Sequence, residues 1–123
     1  MWFLIILFDF YIPYFDSNAY VYFFDVGQGD SSLIIEPNKK EVILIDTGGL
    51  IGYKKEEWMK GDLYYVSDNV ISFLKSLGIK SITKMIISHG DYDHMGEAIN
   101  LVNNFKVEKV VFNCGAYNDL EKE

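Results

Sequence analysis

The sequence predicts an α/β fold in which a β-meander leads into an α-β-α-β run. Three observations carry this reading. Short runs of β-branched and aromatic residues recur at residues 20–24, 31–36 and 41–46, separated by turn-forming residues. One amphipathic helical pattern follows at residues 67–77. Two further apolar runs, residues 84–88 and 107–113, flank a second helical stretch at 96–104, which is the order of a parallel strand-helix-strand crossover.

Taken in order, residues 20–24 have the composition of a strand on a pleated, half-buried surface. Asp25-Val26-Gly27-Gln28-Gly29-Asp30 then supplies two glycines for a tight reversal into the second strand. Pro37, Asn38, Lys39 and Lys40 read as a turn, and the third strand ends at Asp46-Thr47-Gly48-Gly49. Between residues 50 and 65 the periodicity is lost and Lys54, Lys55, Glu56, Glu57, Lys60 and Asp62 cluster, as in a solvated insertion. The helix at 67–77 lines up Val70, Ile71, Phe73, Leu74 and Leu77, with Ser67 or Asp68 placed to cap its start and Gly78 where a left-handed C-cap belongs. The strand at 84–88 runs directly into a polar cluster, at the carboxyl edge where open α/β sheets bind ligands.

Composition narrows the function classes. At 123 residues, half of them apolar, the chain suits one folded core. Its formal charge of −7 argues against an extended basic face for nucleic acid, although bound divalent ions would reverse that field locally. The single cysteine, Cys114, cannot form an internal disulfide and reads as a small buried residue. The apolar opening, residues 1–8, lacks a basic start and a cleavage site, and with Asp9 and Pro13 it falls short of a spanning helix. We assign residues 1–19 as an apolar segment, either a membrane-segment remnant or an extra strand, and residues 20–123 as the domain.

The richest chemistry lies in Ser88-His89-Gly90-Asp91-Tyr92-Asp93-His94-Met95-Gly96, which holds both histidines of the chain. His89 and Asp91 are two apart, so in an extended stretch both side chains reach the same side and one ion. Asp93 and His94 need a turn to converge, and could hold a second ion. Imidazole with carboxylate suits zinc, while more oxygen donors shift preference toward manganese, magnesium or iron. The bland alternative is a solvated polar loop. Asp46 either supports this site from the third strand or caps a turn.

The three segments Asp25–Asp30, Leu44-Ile45-Asp46-Thr47-Gly48-Gly49 and Ser88–Gly96, in this order and spacing, resemble the metallo-β-lactamase-fold domain of the ComEC-type competence proteins, which act in DNA uptake. The stretch Phe73-Leu74-Lys75-Ser76-Leu77-Gly78-Ile79 is similar to that family as well. The resemblance covers residues 20–113 and implies the first half of an αββα sandwich. It implies a hydrolase with one or two divalent ions, zinc or manganese, bound by His89, Asp91, Asp93 and His94. Asp93 would also orient the attacking hydroxide, Asp46 would brace the site, and Asp30 would serve as a structural or supporting residue. The substrate class it implies is a DNA phosphodiester, and the location it implies is membrane-associated, with the cytoplasm as the other option.

Gly90 and Glu97 stand where that family has proline and glycine, which is expected to loosen the loop and to add a carboxylate beside the site. No histidine follows His94 to supply the family's later ligands, and Asp119 is the only carboxylate placed to act after the last strand. We therefore expect a half-domain that binds metal weakly and hydrolyses slowly or not at all alone. A noncatalytic association module is the alternative, docking through an uncovered sheet face on a complementary second half or a membrane competence protein. A small-molecule hydrolase on the same fold is a third reading, favoured by the acidic balance.

Overall fold

The computed structural model describes Ile6, residues 15–49 and residues 65–113. The insertion expected at 50–64, Cys114, Asp119 and the apolar opening apart from Ile6 lie outside the described residues. Five strands, β1 (Tyr20–Phe23), β2 (Ser32–Ile35), β3 (Val42–Ile45), β4 (Lys84–Ile87) and β5 (Val110–Phe112), form one sheet in sequence order. The first three pair antiparallel, as the meander requires, and β3, β4 and β5 pair parallel. The parallel register demands crossover connections, and these carry helices α1 (Val66–Ser76), α2 (Tyr92–Met95) and α3 (Ala98–Asn104).

Alternation along the strands gives the sheet two faces. Leu33, Ile35, Val42, Leu44, Met85 and Ile87 are buried on one face and join Val70, Ile71 and Leu74 of α1 and Ala98 and Leu101 of α3 in a single core. The second face carries Ile34 opposite Ile43 and Ile45 opposite Ile86, all partly exposed, and continues to Val21 and Phe23, which are 55% and 83% exposed. Among the described residues this apolar face is only partly covered.

Three expectations need correction. The helix expected at 96–104 begins at Ala98, and a separate helix precedes it, because the Gly96 N–H donates to the Tyr92 carbonyl and closes α2 after one turn. Glu97 then leaves helical geometry at φ −106°, ψ 5°, and its N–H donates to the Gly48 carbonyl, so that α3 starts afresh. The last strand is shorter than expected, with Val107 making only an isolated bridge to Ile82. Neither Ser67 nor Asp68 caps α1, whose N-cap position is Tyr65 without a side-chain cap bond.

The cap comes from another segment. Glu97 is buried, and its two carboxylate oxygens accept from the Val66 N–H at 3.1 Å and the Ser67 N–H at 2.7 Å. A carboxylate there satisfies two orphan donors and faces the positive end of the helix dipole. The residue expected to add charge beside the metal cluster is thus turned toward α1. At the other end Gly78 adopts φ +70°, and the Ile79 N–H reaches back to the Leu74 carbonyl, as expected of a glycine C-cap.

Glu97→Ala is predicted to destabilise the chain by about 2–3 kcal/mol, since two buried N–H groups lose a charged acceptor. Glu97→Gln, which keeps one acceptor oxygen, is predicted to cost less. Urea unfolding midpoints at constant m-value check both; an alanine variant as stable as wild type would refute the capping role.

Candidate metal centre

The site grows from the carboxyl ends of the adjacent parallel strands β3 and β4. The Asp46 N–H donates to the Ile86 carbonyl at 2.9 Å, which extends the pairing one residue past β3. Asp46 then turns into the left-handed region at φ +55°, uncommon for a residue with a side chain. The turn is held by its own carboxylate, which is buried. Oδ1 accepts the Ser88 N–H at 2.8 Å, and Oδ2 lies 2.7 Å from Ser88 Oγ and 3.0 Å from His94 Nδ1. The Asp46 carbonyl accepts the Ser31 hydroxyl at 3.0 Å, which ties in the first hairpin.

Past β4 the chain reverses through α2. The Asp91 carbonyl accepts the N–H groups of both His94 and Met95, and the reversal brings the His94 ring to 3.8 Å from the His89 ring, centre to centre. One ligand atom each from His89, Asp93 and His94 lies within 4.8 Å of the others. His94 Nε2 is 3.7 Å from Asp93 Oδ2. Two imidazole nitrogens and one carboxylate oxygen form a donor set that suits a divalent transition metal.

Asp91 stands apart from this group. At the N-cap position of α2 it spends its backbone carbonyl on the turn, while its side chain is 73% exposed, with Oδ2 3.5 Å from His89 Nε2. The contacts expected within each pair, His89 with Asp91 and Asp93 with His94, are present at 3.5 and 3.7 Å, and the turn in addition brings His89 to the later pair. Asp30 is exposed in the first hairpin and acts on His94 through its charge. Ser88 is the residue that sequence reading passes over; a hydroxyl immediately before the first imidazole was its only signal.

Close packing of glycines holds the three signature segments together. A Cβ on Gly29, which has φ +85°, would overlap the backbone carbonyl of Asp93. A Cβ on Gly48, at φ +66°, would come within 2.6 Å of the Val26 side chain. Gly49 and Gly96 each abut the Tyr92 carbonyl. The Thr47 N–H, meanwhile, donates to the His94 carbonyl at 2.7 Å. The hairpin and the strand-end loop therefore press on the backbone of Tyr92, Asp93 and His94. Gly90, expected to loosen the loop, is itself buried. A separate cleft of about 370 Å³, lined by Tyr20, Tyr22, Ile35 and Leu77, lies at the opposite end of the sheet and includes none of these residues.

Burial lowers the pKa of His94, but the hydrogen bond and charge of Asp46, with the charges of Asp93 and Asp30, outweigh it and hold the imidazole above its ordinary value of 6.5. A raised pKa stabilises the fold with the proton bound. In the metal-free chain this contribution is predicted to be complete below the ordinary imidazole pKa and to disappear as pH rises through the raised one. Metal binding has the opposite slope, because the ion displaces that proton. Histidine NMR titration with urea midpoints across this window checks the pair; Asp46→Asn should lower the His94 pKa and flatten the stability slope, and an unchanged slope would contradict the assignment.

Residues 24–113 match the family model described as "Metallo-beta-lactamase superfamily". The chain is also 36% identical over 116 residues to "ComE operon protein 3" of Bacillus subtilis (strain 168), a match covering 93% of this chain and 15% of that protein. The match spans all three signature segments, with His89, Asp93 and His94, and this chain belongs to the metallo-β-lactamase superfamily.

Proposed function

We propose that this chain is the metal-binding portion of a hydrolase domain of the DNA-uptake competence type, which cleaves phosphodiesters when the domain is complete. The observation that carries the reading is the convergence of His89, Asp93 and His94 at the carboxyl ends of β3 and β4. The similarity to a ComE operon protein supports the choice of system. A divalent ion, zinc or manganese, would supply Lewis acidity there, making water more acidic and neutralising charge on a phosphate oxygen. His89, Asp93 and His94 would hold it, and Asp46 would keep the His94 ring oriented. Asp93, whose side chain is 33% exposed, has a second oxygen available to orient the attacking water by hydrogen bonding.

Among the described residues three donors leave the shell open, so the isolated chain should bind metal weakly and hydrolyse slowly. DNA, a complementary second half and a membrane competence protein are the partners this reading requires. Among the described residues no helix is long and apolar enough to cross a membrane. The second reading is a noncatalytic association module, and one observation favours it: the partly exposed isoleucine face of the sheet, which continues to exposed Val21 and Phe23. That face suits the apolar sheet of a complementary half.

Calorimetric titration of zinc and manganese tests the ligand set. His89→Ala, Asp93→Ala and His94→Ala are each predicted to weaken binding about tenfold or more, and Asp91→Ala by less than about threefold, because an exposed charge contributes little. An Asp91 effect equal to the others would refute the geometry. Robust metal-dependent cleavage of single-stranded DNA by the isolated chain, lost in His89→Ala and Asp93→Ala, would refute the expected weakness. For the association reading, Ile43→Lys is predicted to abolish partner binding or self-association in sedimentation experiments. A quadruple alanine variant of His89, Asp91, Asp93 and His94 should leave it unchanged; loss of association in that variant would exclude a purely noncatalytic module.

A further inference from the structure

The metal reading leaves Ser88 without a role, yet its hydroxyl sits at the centre of the polar network. Ser88 Oγ lies 2.7 Å from Asp46 Oδ2 and 2.9 Å from His89 Nδ1, with His94 Nδ1 at 3.5 Å. A serine hydroxyl has one hydrogen to give, and an ionised carboxylate can only accept. The hydrogen therefore belongs to the shorter contact, with a carboxylate whose side chain is 6% exposed. The contact with His89 must then run the other way, with Nδ1–H donating to Ser88 Oγ. In a neutral imidazole this places the lone pair on Nε2.

The competing arrangement turns the hydroxyl hydrogen toward His89 Nδ1 and moves the ring proton to Nε2, facing Asp91 Oδ2 at 3.5 Å. It exchanges a short bond to a buried carboxylate for a long contact with one that is 73% exposed and screened by water. The first arrangement is favoured on both distance and burial. His94 follows the same logic without a relay, because its Nδ1 is 3.0 Å from Asp46 Oδ2. Its Nε2 is left on the side of Asp93.

Building on the metal reading above, we propose that Ser88 is a positioning residue that relays the Asp46 carboxylate to His89. One buried carboxylate then sets the Nδ1–H tautomer of both imidazoles, His94 directly and His89 through the hydroxyl. Both rings present Nε2 lone pairs to a divalent cation without rearranging. The backbone of Ser88 is held independently, through its N–H on Asp46 Oδ1 and its carbonyl accepting from Asn113 Nδ2 at 2.6 Å, so the side chain can be altered while the loop stays fixed.

The test is long-range proton–nitrogen NMR of the imidazoles in the full, metal-free chain, at a pH where both rings are neutral. Wild type is expected to show Nδ1–H and an unprotonated Nε2 for both histidines. Ser88→Ala should move His89 toward the Nε2–H form, leave His94 unchanged and weaken zinc binding about tenfold, the usual loss for a group that supports a ligand. Ser88→Thr, which keeps the hydroxyl, should restore both the His89 tautomer and the affinity. An Nε2–H signal for His89 in wild type would overturn the proposal, as would a His89 tautomer that is the same in wild type and Ser88→Ala. The tautomer is read without metal, so failure of the hydrolase reading would appear separately, as a correctly poised His89 in a chain that binds no zinc.

Discussion

The carboxylate of Asp46 is the constraint on which the site depends. It is buried and aimed at the end of β4 from a backbone turn that a side-chain-bearing residue seldom adopts, and each of its oxygens accepts from Ser88. A buried charge persists only when its hydrogen bonds are made. Those bonds are supplied by Ser88 and His94, so the strand ends, the loop and the imidazole are fixed together. Removing any one partner would leave a charge or donor exposed to a low dielectric, which explains why the network is closed rather than merely close-packed.

Around that charge, backbone meets backbone. Gly29, Gly48, Gly49 and Gly96 each sit where a methyl group would strike a neighbour, and two of them also hold positive φ. These glycines let the first hairpin and the strand-end loop approach the ligand backbone closely enough to exclude alternatives. The three signature segments are thus one object in space. Their glycines do steric work, and their carboxylates and imidazoles form the polar network.

Much of this was legible in the sequence, for physical reasons. Strand alternation and the helical stripe at Val70, Ile71 and Leu74 depend on local periodicity, so the meander, α1 and the parallel crossover could be read directly. The concentration of imidazole and carboxylate after β4 marked the site. What could not be read depended on tertiary geometry. Glu97 looked like an added charge near the cluster but is spent on the N-terminus of α1, a segment distant in the chain. The one-turn helix at Tyr92–Met95 is too short to show a period, so the sequence does not reveal that it brings His94 against His89. Ser88 carried no charge to draw attention, and its importance appears only through its distances to three other side chains.

The chain belongs to the metallo-β-lactamase superfamily and brings His89, Asp93 and His94 together, and its sheet carries a partly exposed isoleucine face; the proposed hydrolase and association roles rest on these two features. Both follow if the sheet needs a second layer and the metal needs further ligands. The central claim is that His89, Asp93 and His94 form one metal shell organised by Asp46. X-ray absorption at the zinc edge of the metal-loaded chain tests it most directly. The account predicts scattering from two imidazoles per zinc, reduced to one in a His89→Ala variant; a shell of oxygen atoms alone, without imidazole scattering, would contradict it.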